Sequence, residues 1–252
     1  MNFKLKKFGN KIADGLAEIF APTEIRCLSC GADVFDDLGF CPDCLKEVNF
    51  NNGKICKRCG VGIDGDEDYC GNCAFDKVYF DKAYSAFNYD GAVQRAVLQM
   101  KFANCGRYAK VFARYLAFLV TKHNLTFDVV CYPPMSKSAL KIRHYNQSQL
   151  LAKYLCDILN RSECLLDAFV KVKDTDRQET LNRSERKVNL IGAYKIKGDV
   201  KGKRVLVIDD VKTTGATLNE CAKVLKKAGA ESVVCLTVSS RKENVKYEKE
   251  ID

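Results

Sequence analysis

Apolar residues between about positions 80 and 240 recur with two spacings, one typical of strands and one typical of helices. Residues 84–89 alternate, and three later stretches are short, mostly apolar runs. Such runs suit strands covered on both faces, as in a parallel sheet. The predicted strands are 84–89, 127–132, 205–208 and 233–237, and the predicted helices are 91–102, 108–120, 149–159 and 218–227. Strands that alternate with helices predict an α/β fold with a doubly wound parallel sheet.

Two acidic residues and a threonine-rich turn follow the strand predicted at 205–208. Asp209 and Asp210 stand at the carboxyl end of that strand, where ligands bind in parallel sheets. The turn opens a helix, so its N–H groups and the positive end of the helix dipole suit a phosphate. Gly215 lets the backbone approach a ligand closely. The turn residues are Lys212, Thr213, Thr214, Gly215, Ala216 and Thr217.

Two alternatives stay open for this stretch. Lys212 either contacts the phosphate or points to solvent, and we predict solvent. The whole stretch is either a phosphate site or a strand–turn–helix corner with an acidic cap and no ligand, and we predict the phosphate site.

A second basic segment, residues 136–148, follows the strand predicted at 127–132. We expect a loop there, ahead of the helix predicted at 149–159. It lies at the same carboxyl edge of the sheet, so we predict a second anion site. The candidate residues of this site are Pro134, just ahead of the segment, and Lys141, Arg143, Asn146 and Gln147 within it.

The connection at residues 171–189 is polar and charged along its whole length. Structureless segments this long inside a compact domain are usually functional loops, so we predict a mobile flap that closes over the site. Glu185 and Arg186 lie in this flap. Together with Arg143 they are the candidates for catalysis, although Glu185 and Arg186 could equally form a salt bridge within the flap.

Composition limits the class of protein. A chain of 252 residues can bury a full core and suggests one medium domain plus a smaller one. No apolar run approaches the roughly 18 residues that cross a bilayer, so we expect no membrane span. Residues 1–20 are basic and loosely amphipathic, without the apolar core of a signal peptide. We predict a helix that docks on the next module, with a membrane-surface helix as the alternative, and a cytoplasmic protein.

Eight of the fourteen cysteines stand in four C-x-x-C pairs, and the last two pairs repeat the first two after 29 residues. We name residues 27–44 the first repeat and residues 56–73 the second repeat. Zinc binds four thiolates in a tetrahedron, so the pattern predicts a double zinc ribbon with two structural zinc ions. The ligands are Cys27, Cys30, Cys41, Cys44, Cys56, Cys59, Cys70 and Cys73. The repeat favours one ion per repeat, and the alternative is a cross-braced pairing of Cys27, Cys30, Cys56 and Cys59 on one ion.

The zinc ribbon carries the wrong charge for nucleic acid. Residues 27–73 contain nine acidic and four basic residues, a net charge of −5, whereas the whole chain carries +9. Phosphate backbones are bound by cations. We therefore expect the ribbon to be a scaffold or a protein-docking module, and any DNA contact to lie on the following domain.

Residues 205–217 resemble the 5-phosphoribosyl-1-diphosphate (PRPP) loop of type I phosphoribosyltransferases. The shared pattern is four apolar residues, two acidic residues, a short spacer and then Thr-Thr-Gly-x-Thr. By that resemblance Asp209 and Asp210 would hold the 2′- and 3′-hydroxyls of the ribose, and residues 212–217 would wrap the 5′-phosphate. The segment around Arg143 would meet the pyrophosphate, and Mg²⁺ would accompany PRPP.

The order of motifs along residues 22–240 resembles the ComF family of competence proteins. That order is a double zinc ribbon, an apolar helix with Lys101, a Pro-ended strand, Arg143-x-Tyr-Asn-Gln, Gln178-x-x-Leu-x-x-x-Glu185-Arg186 and the PRPP-type loop. The resemblance implies a role in single-stranded DNA uptake during natural transformation, with a helicase-like ATPase as partner. It implies four regions: an arm at 1–26, the double zinc ribbon at 27–75, a phosphoribosyltransferase-like domain at 80–240 and a charged tail at 241–252.

The chain departs from that family pattern at two places. His144 stands where relatives have a glycine, and a glycine that required a positive φ would make histidine costly there. Lys171 and Lys173 stand where relatives carry arginines, which keeps the charge but loses bidentate phosphate geometry. Three functions follow: a PRPP-binding protein of DNA uptake, an active phosphoribosyltransferase of nucleotide salvage, or an adaptor without catalysis.

Overall fold

The computed structural model describes residues 26–34, 38–63, 65–102, 106–173 and 190–242. The arm predicted at 1–26 lies almost wholly outside these residues, as does most of the predicted tail. Most of the predicted flap is also outside them, including Glu185 and Arg186. Within the described residues, no helix is both long and apolar enough to cross a membrane.

Four parallel strands form the central sheet, in the order β1–β6–β5–β2, and two short antiparallel strands, β3 and β4, pair beside it. The strands are β1 (Lys82–Asn88), β2 (Val129–Cys131), β3 (Phe169–Lys171), β4 (Tyr194–Ile196), β5 (Arg204–Lys212) and β6 (Ser232–Ser240). The helices are α1 (Pro42–Lys46), α2 (Gly71–Phe75), α3 (Gly91–Phe102), α4 (Gly106–Lys122), α5 (Lys137–Arg143), α6 (Gln147–Ile158) and α7 (Ala216–Lys227). A 3₁₀ turn spans Ser162–Cys164.

Helices cover both faces of the sheet, as the apolar runs predicted. Leu206 and Ile208 of β5 belong to a core that includes α4 and α6, whereas Val205 and Val207 belong to a core that includes α7. Successive side chains of a strand point to opposite faces, so a continuous apolar run supplies both cores at once. The doubly wound parallel α/β fold is therefore confirmed.

Two elements differ from the sequence prediction at the site. Strand β5 runs on through Asp209 and Asp210 to Lys212, because β6 pairs with it up to Ser240. Helix α7 begins two residues earlier than predicted, at Ala216. The segment expected to be a loop at 136–148 contains α5, whose first turn is capped by the Ser136 hydroxyl.

The zinc ribbon continues the sheet at its β1 edge. Arg58 accepts a hydrogen bond at 2.8 Å from the backbone N–H of Ala83, and Asn51 donates one at 3.0 Å to the carbonyl of Ala86. Farther along β1, Asn88 donates to the carbonyl of Asn49 at 2.8 Å. The ribbon backbone thus covers a strand edge that would otherwise be open to other chains.

The two repeats lie against different faces of the sheet. Cysteines of the first repeat share a core with α3 and α4, and Arg95 of α3 donates to the Ser29 hydroxyl at 2.8 Å. Cysteines of the second repeat share a core with α7. The segment that follows the second repeat is held there by Asn219 of α7, which accepts from the backbone of Tyr79 at 2.7 Å.

Candidate metal and phosphate sites

Each repeat brings its own four cysteines together. Within each set the sulfur atoms all lie within 4.8 Å of one another. The first set is Cys27, Cys30, Cys41 and Cys44, and the second set is Cys56, Cys59, Cys70 and Cys73. The predicted grouping of one set per repeat is therefore confirmed, and the cross-braced alternative is wrong.

Both sets fit a zinc ion. Cys30 and Cys41 place their sulfurs 3.6 Å apart, and Cys59 and Cys70 place theirs 3.5 Å apart. A tetrahedron of Zn–S bonds near 2.3 Å requires sulfurs about 3.8 Å apart. The knuckle turns depend on Gly31 and Gly60, whose φ angles are +80° and +64°. All four cysteines of the second repeat are buried, whereas Cys30 of the first repeat is exposed. Two structural zinc ions therefore suit the donor sets.

The turn after β5 remains accessible. Residues 213–217 are neither buried nor fully exposed. Gly215 adopts φ +78° as the residue before α7 and supplies no capping side chain, while the Thr214 hydroxyl accepts from the backbone of Ala216 at 3.3 Å. The first N–H groups of a helix have no partner within the helix. The turn therefore presents the donors that a phosphate requires.

Asp209 and Asp210 differ in their surroundings. Asp209 is buried, and one of its oxygens accepts from the Ser148 hydroxyl at 2.7 Å and from the backbone of Asp210 at 2.9 Å. Burial, together with the charge of Asp210, raises the pKa of Asp209 to about 7. Asp210 is more open and lies 3.9 Å from the ammonium of Lys101. The first carboxyl is thus anchored inside the protein, and the second is the more accessible of the two.

The residues predicted for the second anion site separate into two kinds. Asn146 is buried and caps α6, since its side-chain oxygen accepts from the backbone of Ser148 at 3.0 Å while its amide donates to the carbonyl of Pro133 at 2.9 Å. Gln147 is buried beside it. Lys141 is exposed, and the Arg143 guanidinium lies 5.6 Å from the centre of the Phe102 ring. Lys141 is thus open to solvent and Arg143 is half-buried, while the Asn146 amide holds the start of α6 in place.

His144 has a left-handed backbone, with φ +61° and ψ −3°, at the C-terminal end of α5. The position therefore requires the conformation that a glycine adopts without cost. The position that is a glycine in the family pattern does require a positive φ, and His144 adopts this unfavourable backbone conformation.

The expectation that Lys212 points to solvent is wrong. The residue is 6% exposed, and its ammonium lies 3.5 Å from the sulfur of Cys59 in the second repeat. Sequence reasoning could not find this contact, because the two residues are 153 positions apart.

Sequence reasoning also missed the parts played by Ser148 and Lys101. Ser148 follows the Asn-Gln pair at the start of α6, and Lys101 is the only lysine of α3. Neither signal specifies a partner on β5 without the fold. The structure brings both residues to the acidic pair.

Comparisons with known proteins agree with this architecture. A double zinc ribbon family model matches residues 16–74, and a phosphoribosyl transferase domain model matches residues 147–252. Competence protein F of Haemophilus influenzae is 30% identical, over 82% of this chain and 93% of its own length. The DNA utilization protein YhgH of Salmonella typhimurium is 30% identical, over 77% of this chain and 87% of its own.

A third relative is also named as a competence protein. Competence protein ComFC of Streptococcus pneumoniae is 27% identical, over 82% of this chain and 84% of its own length. The chain thus combines a double zinc ribbon with a type I phosphoribosyltransferase fold, and its relatives are proteins of competence and DNA utilization. It belongs to the ComF family of competence proteins.

Proposed function

We propose that this protein binds PRPP together with Mg²⁺ at the carboxyl end of β5 and takes part in handling single-stranded DNA during natural transformation. The observation that carries the proposal is the junction of an acidic pair with an accessible Thr-Thr-Gly turn at the start of α7. Such a junction presents carboxylates to sugar hydroxyls and N–H groups to a phosphate within one short stretch.

Each part of PRPP has protein groups that can bind it. The 5′-phosphate lies in the turn, where Thr213, Thr214 and Thr217 add hydroxyls to the backbone donors. Asp210 accepts from a ribose hydroxyl, and Asp209 holds the end of β5 rigid through Ser148. A rigid acceptor binds more tightly because less freedom is lost on binding.

The diphosphate carries the remaining charge. Mg²⁺ bound together with PRPP would offset part of this charge. The cations of α5, exposed Lys141 and half-buried Arg143, follow β2 at the same edge of the sheet. Lys141 and Arg143 are the residues that we assign to this end of the ligand. Arg143 is the stronger candidate, since a guanidinium binds two phosphate oxygens at once.

The link to DNA is inferred from charge and from the names of the relatives. The competence and DNA utilization proteins that match this chain are named for processes that handle DNA. Outside residues 27–73 the chain carries a net charge of +14, which suits a nucleic-acid backbone. The proposal includes a helicase-like ATPase as partner and a cytoplasmic location, where thiolates stay reduced and can hold zinc.

Isothermal calorimetry with PRPP and Mg²⁺ tests the binding. We expect the wild-type protein to bind and the double variant Asp209→Asn with Asp210→Asn to lose binding. A matched control is Asp167→Asn with Asp199→Asn, which removes two lysine-paired carboxylates from exposed positions and should bind like the wild type. Unchanged affinity in the first double variant would remove the acidic pair from the site.

A further inference from the structure

We propose that Lys212 is a positioning residue that couples the zinc ion of the second repeat to the phosphate-binding turn. Lys212 has this role only if the turn holds a phosphate, so the inference rests on the proposed function above. The residue is the last of β5, and the turn begins with the next residue, Thr213.

The Lys212 side chain reaches from the turn to the zinc cluster. Its Cγ and Cδ atoms lie 3.8 Å from the place that a Cβ on Gly215 would occupy, so its stem lies against the glycine of the turn. Its ammonium lies 3.5 Å from the sulfur of Cys59. The backbone is fixed as well, because Lys212 pairs with Ser240 of β6 and its carbonyl accepts from Arg241 at 3.1 Å.

Charge gives this contact its strength. A buried ammonium is unfavourable unless an anion meets it, and the anion that meets Lys212 is the Cys59 thiolate. Zinc with four thiolates carries a net charge of about −2 and keeps the sulfurs together. The loaded second repeat is therefore the counter-ion that holds Lys212 under the turn.

The first repeat has a different set of neighbours. Its polar links run to α3 and α4, through Arg95 and Ser29, and through Tyr115, whose hydroxyl donates to the carbonyl of Leu38 at 2.8 Å. Two zinc ions bound by the same ligand pattern are thus expected to act differently, since the second one alone is joined to the turn by Lys212.

Amide hydrogen exchange without ligand tests the coupling directly. In Lys212→Met we expect the amides of residues 213–217 to exchange roughly five-fold faster or more. Lys212→Arg keeps the charge and should restore most of the protection. Lys226→Met is the matched control, because Lys226 is a partly buried lysine of α7 that pairs with Asp81 instead, and it should leave the turn unchanged.

Zinc release tests the same coupling from the other side. Coupling between two binding sites is reciprocal, so PRPP with Mg²⁺ should slow the release of one zinc ion to 4-(2-pyridylazo)resorcinol. We expect a slowing of roughly five-fold in the wild type and in Lys226→Met, and none in Lys212→Met. The wild-type measurement needs no variant, so it tests whether the turn and the second zinc ion are coupled even if Lys212→Met does not fold.

The outcomes separate the coupling from the proposed function. Unchanged exchange in Lys212→Met, or equal slowing of both zinc ions, would overturn the coupling even though PRPP binds. Failure of the wild type to bind PRPP in calorimetry would overturn the proposed function, and faster exchange in Lys212→Met alone would still support the link between Lys212 and the turn.

Discussion

The two zinc repeats share a sequence pattern and a cysteine geometry, yet they support different parts of the molecule. The first repeat packs on α3 and α4, and one of its four cysteines, Cys30, is exposed. The second repeat is buried against the β1 edge and reaches the end of β5 through Lys212. Identical metal ligation therefore does not imply an identical role, because the role depends on what each cluster contacts.

Substitutions at equivalent glycines of the two repeats give the strongest test of this difference. Gly31 and Gly60 occupy the same place in the repeat and both have positive φ angles, of +80° and +64°. A Cβ at Gly31 would meet no atom within 4 Å, whereas a Cβ at Gly60 would collide with the carbonyl oxygen of Ala83.

We therefore expect alanine to be much more costly in the second repeat. Gly31→Ala should lower the free energy of unfolding by about 1 kcal/mol, the cost of a left-handed backbone. Gly60→Ala adds a backbone collision and should cost roughly 3 kcal/mol or more. Denaturant titrations of both variants, with zinc content measured alongside, check this. Equal losses would show that the second repeat is no more tightly docked than the first.

The contrast between local and distant contacts also explains what could be predicted from the sequence. The cysteine spacing and the Asp-Asp-x-x-Thr-Thr-Gly stretch describe sites built from neighbouring residues, and both patterns were informative. The Lys212–Cys59 contact joins residues 153 positions apart, and the pairing of β3 with β4 spans residues 169–196. No local pattern indicates either one.

The extra length of β5 also depends on a contact between residues that are distant in the sequence. Asp209 and Asp210 have low strand propensity, so the apolar run predicts a strand that ends at Ile208. The strand continues because β6 pairs with it on both sides of Asp210, where Asp209 pairs with Thr237 and Val211 pairs with Ser239. Pairing with β6 thus determines where the strand ends, and it makes the acidic pair part of β5.

A smaller effect separates the two anchors at the end of β5. Lys212 is buried against sulfur, whereas Asp209 is buried against the Ser148 hydroxyl. Burial raises the pKa of Asp209 to about 7, above the value of about 4 for an unfolded chain. The folded state therefore holds the proton more tightly, and the stability that this contributes is lost as the pH rises from about 4 to about 7.

Asp209→Asn should remove that pH dependence. Between about pH 5.5 and about pH 7, where this carboxyl is already ionised in the unfolded chain, the wild type should lose stability relative to the variant, by at most about 1.4 kcal/mol per pH unit. Denaturation curves at several pH values check this. Asp128→Asn is the control, since the Arg204 guanidinium holds the pKa of Asp128 well below its usual range, so its curve should run parallel to the wild type over this window.

The smallest expected effect concerns the α5 side of the site, away from the second repeat. His144 has φ +61°, and a left-handed backbone costs a residue with a Cβ about 1–2 kcal/mol. Glycine removes that cost but gains freedom in the unfolded chain. His144→Gly should therefore stabilise the protein by roughly 0.5–1 kcal/mol. Asn160 also has a positive φ, of +53°, and asparagine tolerates it better, so Asn160→Gly should change stability less. Thermal unfolding of both variants measures the two effects. If His144→Gly destabilised the protein, contacts of the imidazole would outweigh the backbone strain, and the α5 side would depend on a side chain as the β5 side depends on Lys212.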